Sequence, residues 1–244
     1  MVDIHCHILP DFDDGAENLE EALDMARMAA ATGVTDIIAT PHFQGESASL
    51  ELLGLMQRQL RVLNSALTQA QIPVQLHSGA EVLCLPDTIS MAVEHKLPTL
   101  ANTKYVLSEF YFDESYSFMD ETLSEIAACG YKPVVAHPER YDVIQHDPRL
   151  LHRWVRQGFV IQLNKGSVLG SFGSRVEQAA NEILAMGLAH LFASDAHGCH
   201  SRTPHMAALQ QWVGELCEPE YAAILLEKNP RRLLNGRPMV GMDS

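Results

Sequence analysis

Val2-Asp3-Ile4-His5-Cys6-His7 reads as a β-strand that ends in two imidazoles. Successive side chains on a strand point to opposite faces, so His5 and His7 share one face and Cys6 takes the other. A His-x-His pair at a strand end is a bidentate clamp for a metal ion. Further along the chain, apolar runs keep stopping at a residue of ligand type. Ala39-Thr40-Pro41 leads to His42, and Ser78-Gly79-Ala80 to Glu81. Tyr105-Val106-Leu107-Ser108 leads to Glu109, Val134-Val135-Ala136 to His137, and Ala193-Ser194 to Asp195-Ala196-His197. A proline at 41 stops the hydrogen-bond ladder and displays His42 at the strand end. Glu81 lies in an otherwise apolar run, where a buried carboxylate is costly unless it is paired or bound to metal. Asp13-Asp14-Gly15 follows the first strand on a loop at the same end. Asp-Gly is also a common turn pair, so one acid is expected to bind metal and the other to serve the turn or support a ligand. Asp14 is the expected ligand. Delivered strand by strand around a βα repeat, these groups imply a polynuclear metal site at one face of a barrel.

Helical patterns separate the strand-like runs. Residues 19–32 read as a helix with Asn18 as N-cap and Gly33 just past its end. Residues 49–70 place Leu50, Leu53, Met56, Leu60 and Leu63 at helical spacing. Further helices are expected at 87–95, 119–129, 148–157, 174–186, 204–215 and 219–228. The strands between them are expected at 2–7, 36–40, 74–83, 105–109, 134–137, 160–164 and 190–194. Seven βα-like units without a linker predict one α/β domain over residues 1–244, a distorted seven-stranded TIM-like parallel barrel.

Composition narrows the class. The chain has 244 residues, 47% hydrophobic and 20% charged, enough for one barrel-type domain. Lys and Arg number 17 against 31 Asp and Glu, a net charge of −14, which argues against a nucleic-acid surface. Bound divalent cations would offset part of that excess. No apolar run is long enough to suggest membrane insertion, and no leader-like N-terminus is visible. Five scattered cysteines without a Cys-x-x-Cys pair suit a reducing cytoplasm. A Cys-x5-Arg phosphatase loop is excluded, because the positions six after each cysteine are Phe12, Ser90, Val135, His205 and Ala223. No Gly-x4-Gly-Lys loop is present, and Gly166, Gly170 and Gly173 make no dinucleotide fingerprint.

The segments quoted above, together with His137-Pro138-Glu139-Arg140, Asn164-Lys165-Gly166-Ser167 and the closing Asn229-Pro230, resemble the polymerase and histidinol phosphatase (PHP) superfamily. More narrowly they are similar to the bacterial manganese-dependent tyrosine-protein phosphatases of capsule and exopolysaccharide operons. The resemblance covers residues 1 to about 235. Asp11 stands where a glycine usually precedes the Asp-Asp-Gly turn, and Phe43 where a second histidine is common. The resemblance implies three metal ions. His5, His7, Glu81 and Asp195 would hold one, with Glu81 bridging to a second held by Glu109 and His137. Asp14, His42 and His197 would hold the third. Imidazoles and carboxylates without thiolate suit Mn, Fe, Zn or Co, with Mn²⁺ expected by similarity.

The chemistry expected at such a site is hydrolysis of a phosphate monoester by a metal-bridged hydroxide, without a phosphoenzyme. Arg140 and Arg202, each just after a ligand motif, are the expected phosphate-binding catalytic residues, because guanidinium pairs bidentately with phosphate. Phe12, Phe43, Tyr111, Phe112, Tyr116, Phe118 and Tyr141 fall in expected mouth loops, where some could sandwich a phosphotyrosine ring and the rest pack the loops. His77, His95, His146, His152, His190, His200 and His205 lack the strand-end context and are expected mostly at the surface or on helices. By resemblance the substrate is a phosphotyrosine protein, a bacterial tyrosine kinase that controls polysaccharide export. The alternatives are a small-molecule phosphatase, such as a histidinol-phosphate phosphatase, and a PHP module that binds without catalysing.

Overall fold

The computed structural model describes residues 1–45 and 50–242. Residue 49 and the side chain of Leu50, included in the expected second helix, lie outside the described side chains. Among the described residues there are nine short strands, all paired in parallel. β1 (Val2–Cys6), β2 (Asp36–Ala39) and β4 (Gln75–Ser78) form a sheet in the order β1-β2-β4. β3 (His42–Gln44), β5 (Glu81–Leu83), β6 (Tyr105–Glu109), β7 (Lys132–Ala136), β8 (Val160–Asn164) and β9 (Leu191–Ala193) form the second, in the order β3-β5-β6-β7-β8-β9.

This differs from one closed seven-stranded barrel, and the reason lies at two breaks. The expected strand 74–83 is cut at Gly79-Ala80, and a strand not expected from sequence, β3, follows the break at Thr40-Pro41. Proline cannot donate to a ladder. A Cβ at Gly79 would sit 2.6 Å from Ile38 Cγ2 and 2.9 Å from Leu100 Cδ2, so only glycine fits where the chain leaves β4. The two breaks lie side by side, joined by the Glu81 N–H to Pro41 carbonyl bond of 3.1 Å. At this level the chain passes from one sheet to the other. At the far side, the Asp195 N–H donates to the His5 carbonyl (2.9 Å) and the His7 N–H to the Ala196 carbonyl (2.8 Å). These two bonds stitch the end of β1 to the segment after β9.

Helices α1 (Leu19–Ala30), α2 (Leu50–Gln69), α3 (Thr88–Val93), α4 (Tyr116–Ala128), α5 (Asp142–His146), α6 (Leu151–Arg156), α7 (Lys165–Val168) and α8 (Ser174–Ala185) alternate with the strands. α9 (Ala207–Leu216), α10 (Pro219–Ala223) and α11 (Asn229–Leu234) close the fold. Asn18 caps α1 by accepting from the Glu21 N–H at 3.0 Å. Two apolar clusters result. Ile4, Leu107, Val134, Ala136 and Leu191 belong to a smaller one, while the alternate strand residues Val106, Val135, Ile161 and Phe192 pack in the larger one that includes the helices. No described helix is long and apolar enough to cross a membrane.

His190, expected at the surface, is buried at the start of β9. Its Nδ1 accepts the Ile161 N–H at 3.0 Å, and its own N–H returns to the Ile161 carbonyl. Burial pushes the imidazole down from 6.5 to about 4. The folded protein therefore holds His190 neutral where the unfolded chain would protonate it. Its contribution to stability is complete above about pH 6.5 and is lost as pH falls toward about 4, by about 3 kcal/mol in all. In denaturant titrations, the stability difference between wild type and His190→Gln should shrink over that window. A difference independent of pH would refute the assignment.

Candidate metal centre

All nine ligand-type residues singled out from the sequence lie in one cluster of close side chains at the strand ends. Glu81 is its hub. Oε1 stands 3.2 Å from His5 Nε2 and 3.0 Å from His137 Nε2, while Oε2 stands 3.2 Å from His7 Nε2 and 3.3 Å from His42 Nδ1. Glu109 Oε1 is 3.6 Å from His137 Nε2 and Oε2 is 3.8 Å from His42 Nδ1. On the other side, Asp14 Oδ1 lies 3.3 Å from His42 Nε2 and 3.4 Å from His197 Nε2. Three subsets bring one donor atom each to within 4.8 Å of one another: His7, Asp14, His42 and His197; His5, His7 and Glu81; and His42, Glu81 and Glu109. His7 therefore sits between two of the groupings that the family resemblance implies.

Electrostatics follow from burial and crowding. Burial alone would lower the His5 imidazole, but the Glu81 and Asp195 carboxylates hold it up at about 9. His7 is likewise opposed by burial and held at about 10 by Asp13 and Glu81. Burial alone would raise the Glu81 carboxyl, and His5, His137 and His7 keep it well below its usual range. Burial, then repulsion from Glu81, pushes Glu109 up to about 8. A metal ion would replace the protons that now reconcile these groups.

The donor set fits divalent cations on a specific observation. Asp195 uses its two oxygens differently. Oδ2 accepts from Asn164 Nδ2 at 2.5 Å and from Arg202 Nη2 at 2.6 Å. Oδ1 is buried and accepts no hydrogen bond among the described residues, yet it faces His5 Nε2 at 3.4 Å, His197 Nδ1 at 3.6 Å and His7 Nε2 at 3.7 Å. A buried carboxylate oxygen without a donor, ringed by imidazole nitrogens, suits a cation. The local backbone is unusual here too. His137, Asp195 and Arg202 adopt φ of 33°, 49° and 47°, the left-handed region that non-glycine residues seldom enter.

Supporting residues surround these groups; Asp13 is expected among them as the acid that serves the turn or supports a ligand, whereas Gln162, Asn164 and Glu139 have no role assigned from sequence. Asp13 Oδ2 lies 2.7 Å from His7 Nδ1 and accepts the His42 N–H at 2.9 Å, while Oδ1 accepts the Gly15 N–H at 3.0 Å. It serves the turn and orients a ligand-type histidine at once. Gln162 Oε1 lies 3.0 Å from His5 Nδ1, and Gln162 Nε2 donates to Asn164 Oδ1 at 2.7 Å. Glu139 is buried and accepts the Asn164 N–H at 2.8 Å, and burial pushes its carboxyl up to about 7. A polar pair two residues apart in apolar β8 was the available signal for Gln162 and Asn164.

Both expected arginines reach the site. Arg140 Nη1 stands 3.6 Å from Asp195 Oδ2, the oxygen that Arg202 also contacts. The mouth aromatics divide. Phe43 and Tyr141 are buried, Tyr116 stacks on Trp154 at 5.2 Å, and Phe118 meets Phe110 edge-on at 6.3 Å, so these four pack. Tyr111 and Phe112 are exposed, and the Phe112 ring lies 6.3 Å from that of His137. Phe172, absent from the expected set, stands against both arginines.

Parallel strands that end in a shared cluster of imidazoles and carboxylates, with two arginines beside it, define a candidate metal centre of hydrolase type on an α/β scaffold. The chain belongs to the CpsB/CapC family of capsular polysaccharide synthesis, whose model matches residues 1–235. It is 35% identical over 205 residues to the tyrosine-protein phosphatase YwqE of Bacillus subtilis (strain 168), covering 84% of this chain and 80% of that protein. It is 29% identical over 239 residues to the tyrosine-protein phosphatase CpsB of Streptococcus pneumoniae, covering 96% and 98%. Among solved structures it is similar to those of YwqE from Bacillus subtilis and CpsB from Streptococcus pneumoniae, described as unique metal-dependent tyrosine phosphatases. There the TM-score is 0.85 at 32% identity, with 97% of this chain and 95% of that chain covered.

Proposed function

We propose that this chain is a metal-dependent protein-tyrosine phosphatase of capsule or exopolysaccharide synthesis. The observation that carries this reading is the convergence of nine ligand-type side chains in one cluster, where Asp195 Oδ1 is left without a donor among the described residues and two arginines stand beside Oδ2. His5, His7, Asp14, His42, Glu81, Glu109, His137, Asp195 and His197 would hold the ions, three by family resemblance, with Mn²⁺ first and Fe, Zn or Co as substitutes. Bound divalent cations would supply Lewis acidity and a water of lowered pKa.

The chain's own residues do the rest. Asp13 and Gln162 hold His7 and His5 from behind, fixing which ring nitrogen faces the pocket. Asn164 and Arg202 tie Asp195 Oδ2 and so aim Oδ1 inward. Arg140, only loosely paired at 3.6 Å, keeps N–H groups for phosphate oxygens. Tyr111 and Phe112 offer exposed rings to the phenyl group of the substrate. The phenol leaves with a pKa of about 10, so expulsion needs little help from an acid. The natural substrate on this reading is a bacterial tyrosine kinase that governs polysaccharide export, met in the cytoplasm. One domain over residues 1–244 carries the activity. Two parallel sheets stitched at β1 and interrupted at Pro41 and Gly79 support a distorted PHP-type barrel.

The test is a substrate panel. A phosphotyrosine peptide and p-nitrophenyl phosphate should turn over with Mn²⁺, stop on chelation and recover on readdition. Histidinol phosphate turning over far faster than the peptide would overturn the reading. So would silence toward every monoester with the metal positions filled.

A further inference from the structure

We propose that Phe172 is a positioning residue that turns the N–H edges of Arg140 and Arg202 toward one anion; the inference rests on the phosphatase reading. Arg140 Cζ lies 4.3 Å from the Phe112 ring centre and 4.6 Å from that of Phe172. The guanidinium thus lies over both rings. Arg202 Cζ lies 5.8 Å from the same Phe172 ring. One phenyl group therefore touches both cations that flank Asp195 Oδ2.

The chemistry explains why an aromatic ring belongs there. A guanidinium donates in its own plane and is attracted to a π-face through its flat side. Stacking covers the faces and leaves the edges for a tetrahedral oxyanion, which needs in-plane, paired donors. Free arginine side chains would have to be ordered at each binding event, whereas stacked ones are ordered beforehand. The ring is itself located by an absence. Gly166, in α7, has no Cβ, and one built there would lie 2.8 Å from Phe172 Cε2 and 3.0 Å from Cζ. Gly166 is thus the seat of the ring, which accounts for a glycine inside the short helix that follows β8.

The experiment uses the Mn²⁺-loaded full chain. Phe172→Leu, Phe172→Tyr and Gly166→Ala are compared with wild type for metal content, for inorganic phosphate binding by calorimetry, and for kcat and KM on a phosphotyrosine peptide. Loss of a partly desolvated cation–π contact predicts that Phe172→Leu weakens phosphate binding and raises KM by about tenfold, with kcat within about threefold. Phe172→Tyr should stay within about threefold of wild type on the same scale. Gly166→Ala keeps the ring but displaces it, and should reproduce the Phe172→Leu effect. Unchanged phosphate binding in both Phe172→Leu and Gly166→Ala would overturn the proposal. So would a loss confined to metal content or to kcat. Phosphate binding is read without turnover, so an inactive wild type would refute the phosphatase reading while still leaving the placement of the arginines measurable.

Discussion

Glu81→Gln should abolish activity while leaving the chain folded. The substitution keeps shape and volume, so it opens no cavity in the core. It removes a carboxylate whose two oxygens stand within 3.3 Å of four imidazoles, those of His5, His7, His42 and His137. An amide offers one oxygen where two were shared, and its NH2 group turns a donor toward ligand nitrogens. Metal content should fall, and kcat/KM on a phosphotyrosine peptide should drop by about 10³-fold or more, equivalent to about 4 kcal/mol of transition-state stabilisation. Metal analysis, circular dichroism and steady-state kinetics on one preparation check this. Wild-type metal content with wild-type turnover would dismantle the assigned cage. The imidazoles should also respond. Glu81 helps to hold His5 and His7 at about 9 and about 10, so both should titrate lower in the metal-free variant.

Arg140→Ala should behave oppositely with respect to metal. The guanidinium is 3.6 Å from Asp195 Oδ2 and makes no closer ion pair there, so its removal leaves Asp195 still tied by Asn164 and Arg202. Metal content should match wild type. What is lost is a planar donor for the phosphate oxygens, worth about 10²-fold in kcat/KM if it acts as preorganised donors at charged transition states generally do. Arg140→Lys should recover only part of this, because an ammonium is a point charge without a fork. Identical kinetic constants in Arg140→Ala and wild type would remove Arg140 from the site.

Much of this was legible in the sequence because strand periodicity is rigid. His5 and His7 had to share a face, and strands at 105–109 and 160–164 are found at those limits. The ligand-type residues were visible because imidazoles and carboxylates stand out at the ends of apolar runs. The division of the sheets was harder to see. An apolar run through Ser78-Gly79-Ala80-Glu81 looks continuous, and only packing against Ile38 and Leu100 reveals why the chain bends away there. Asp36 and Arg231 pair across 195 positions, as no local pattern could indicate. Phe172 was hidden for the same reason. The two arginines that lie over its ring come from distant segments of the chain. Gln162 and Asn164 carried a readable signal, a polar alternation matching that of His5 and His7, but amides attract less notice than metal-ligand types.

His137, Asp195 and Arg202 hold a backbone shape that glycine would adopt more cheaply, at a cost on the order of 1–3 kcal/mol each. Anyone hardening this molecule against heat will meet that trade. Relaxing those three corners with glycine is an obvious gain on paper, yet each corner bears a side chain that the proposed site uses. Durability must be sought on the outer helices, and the pocket has to be left in its uncomfortable shape.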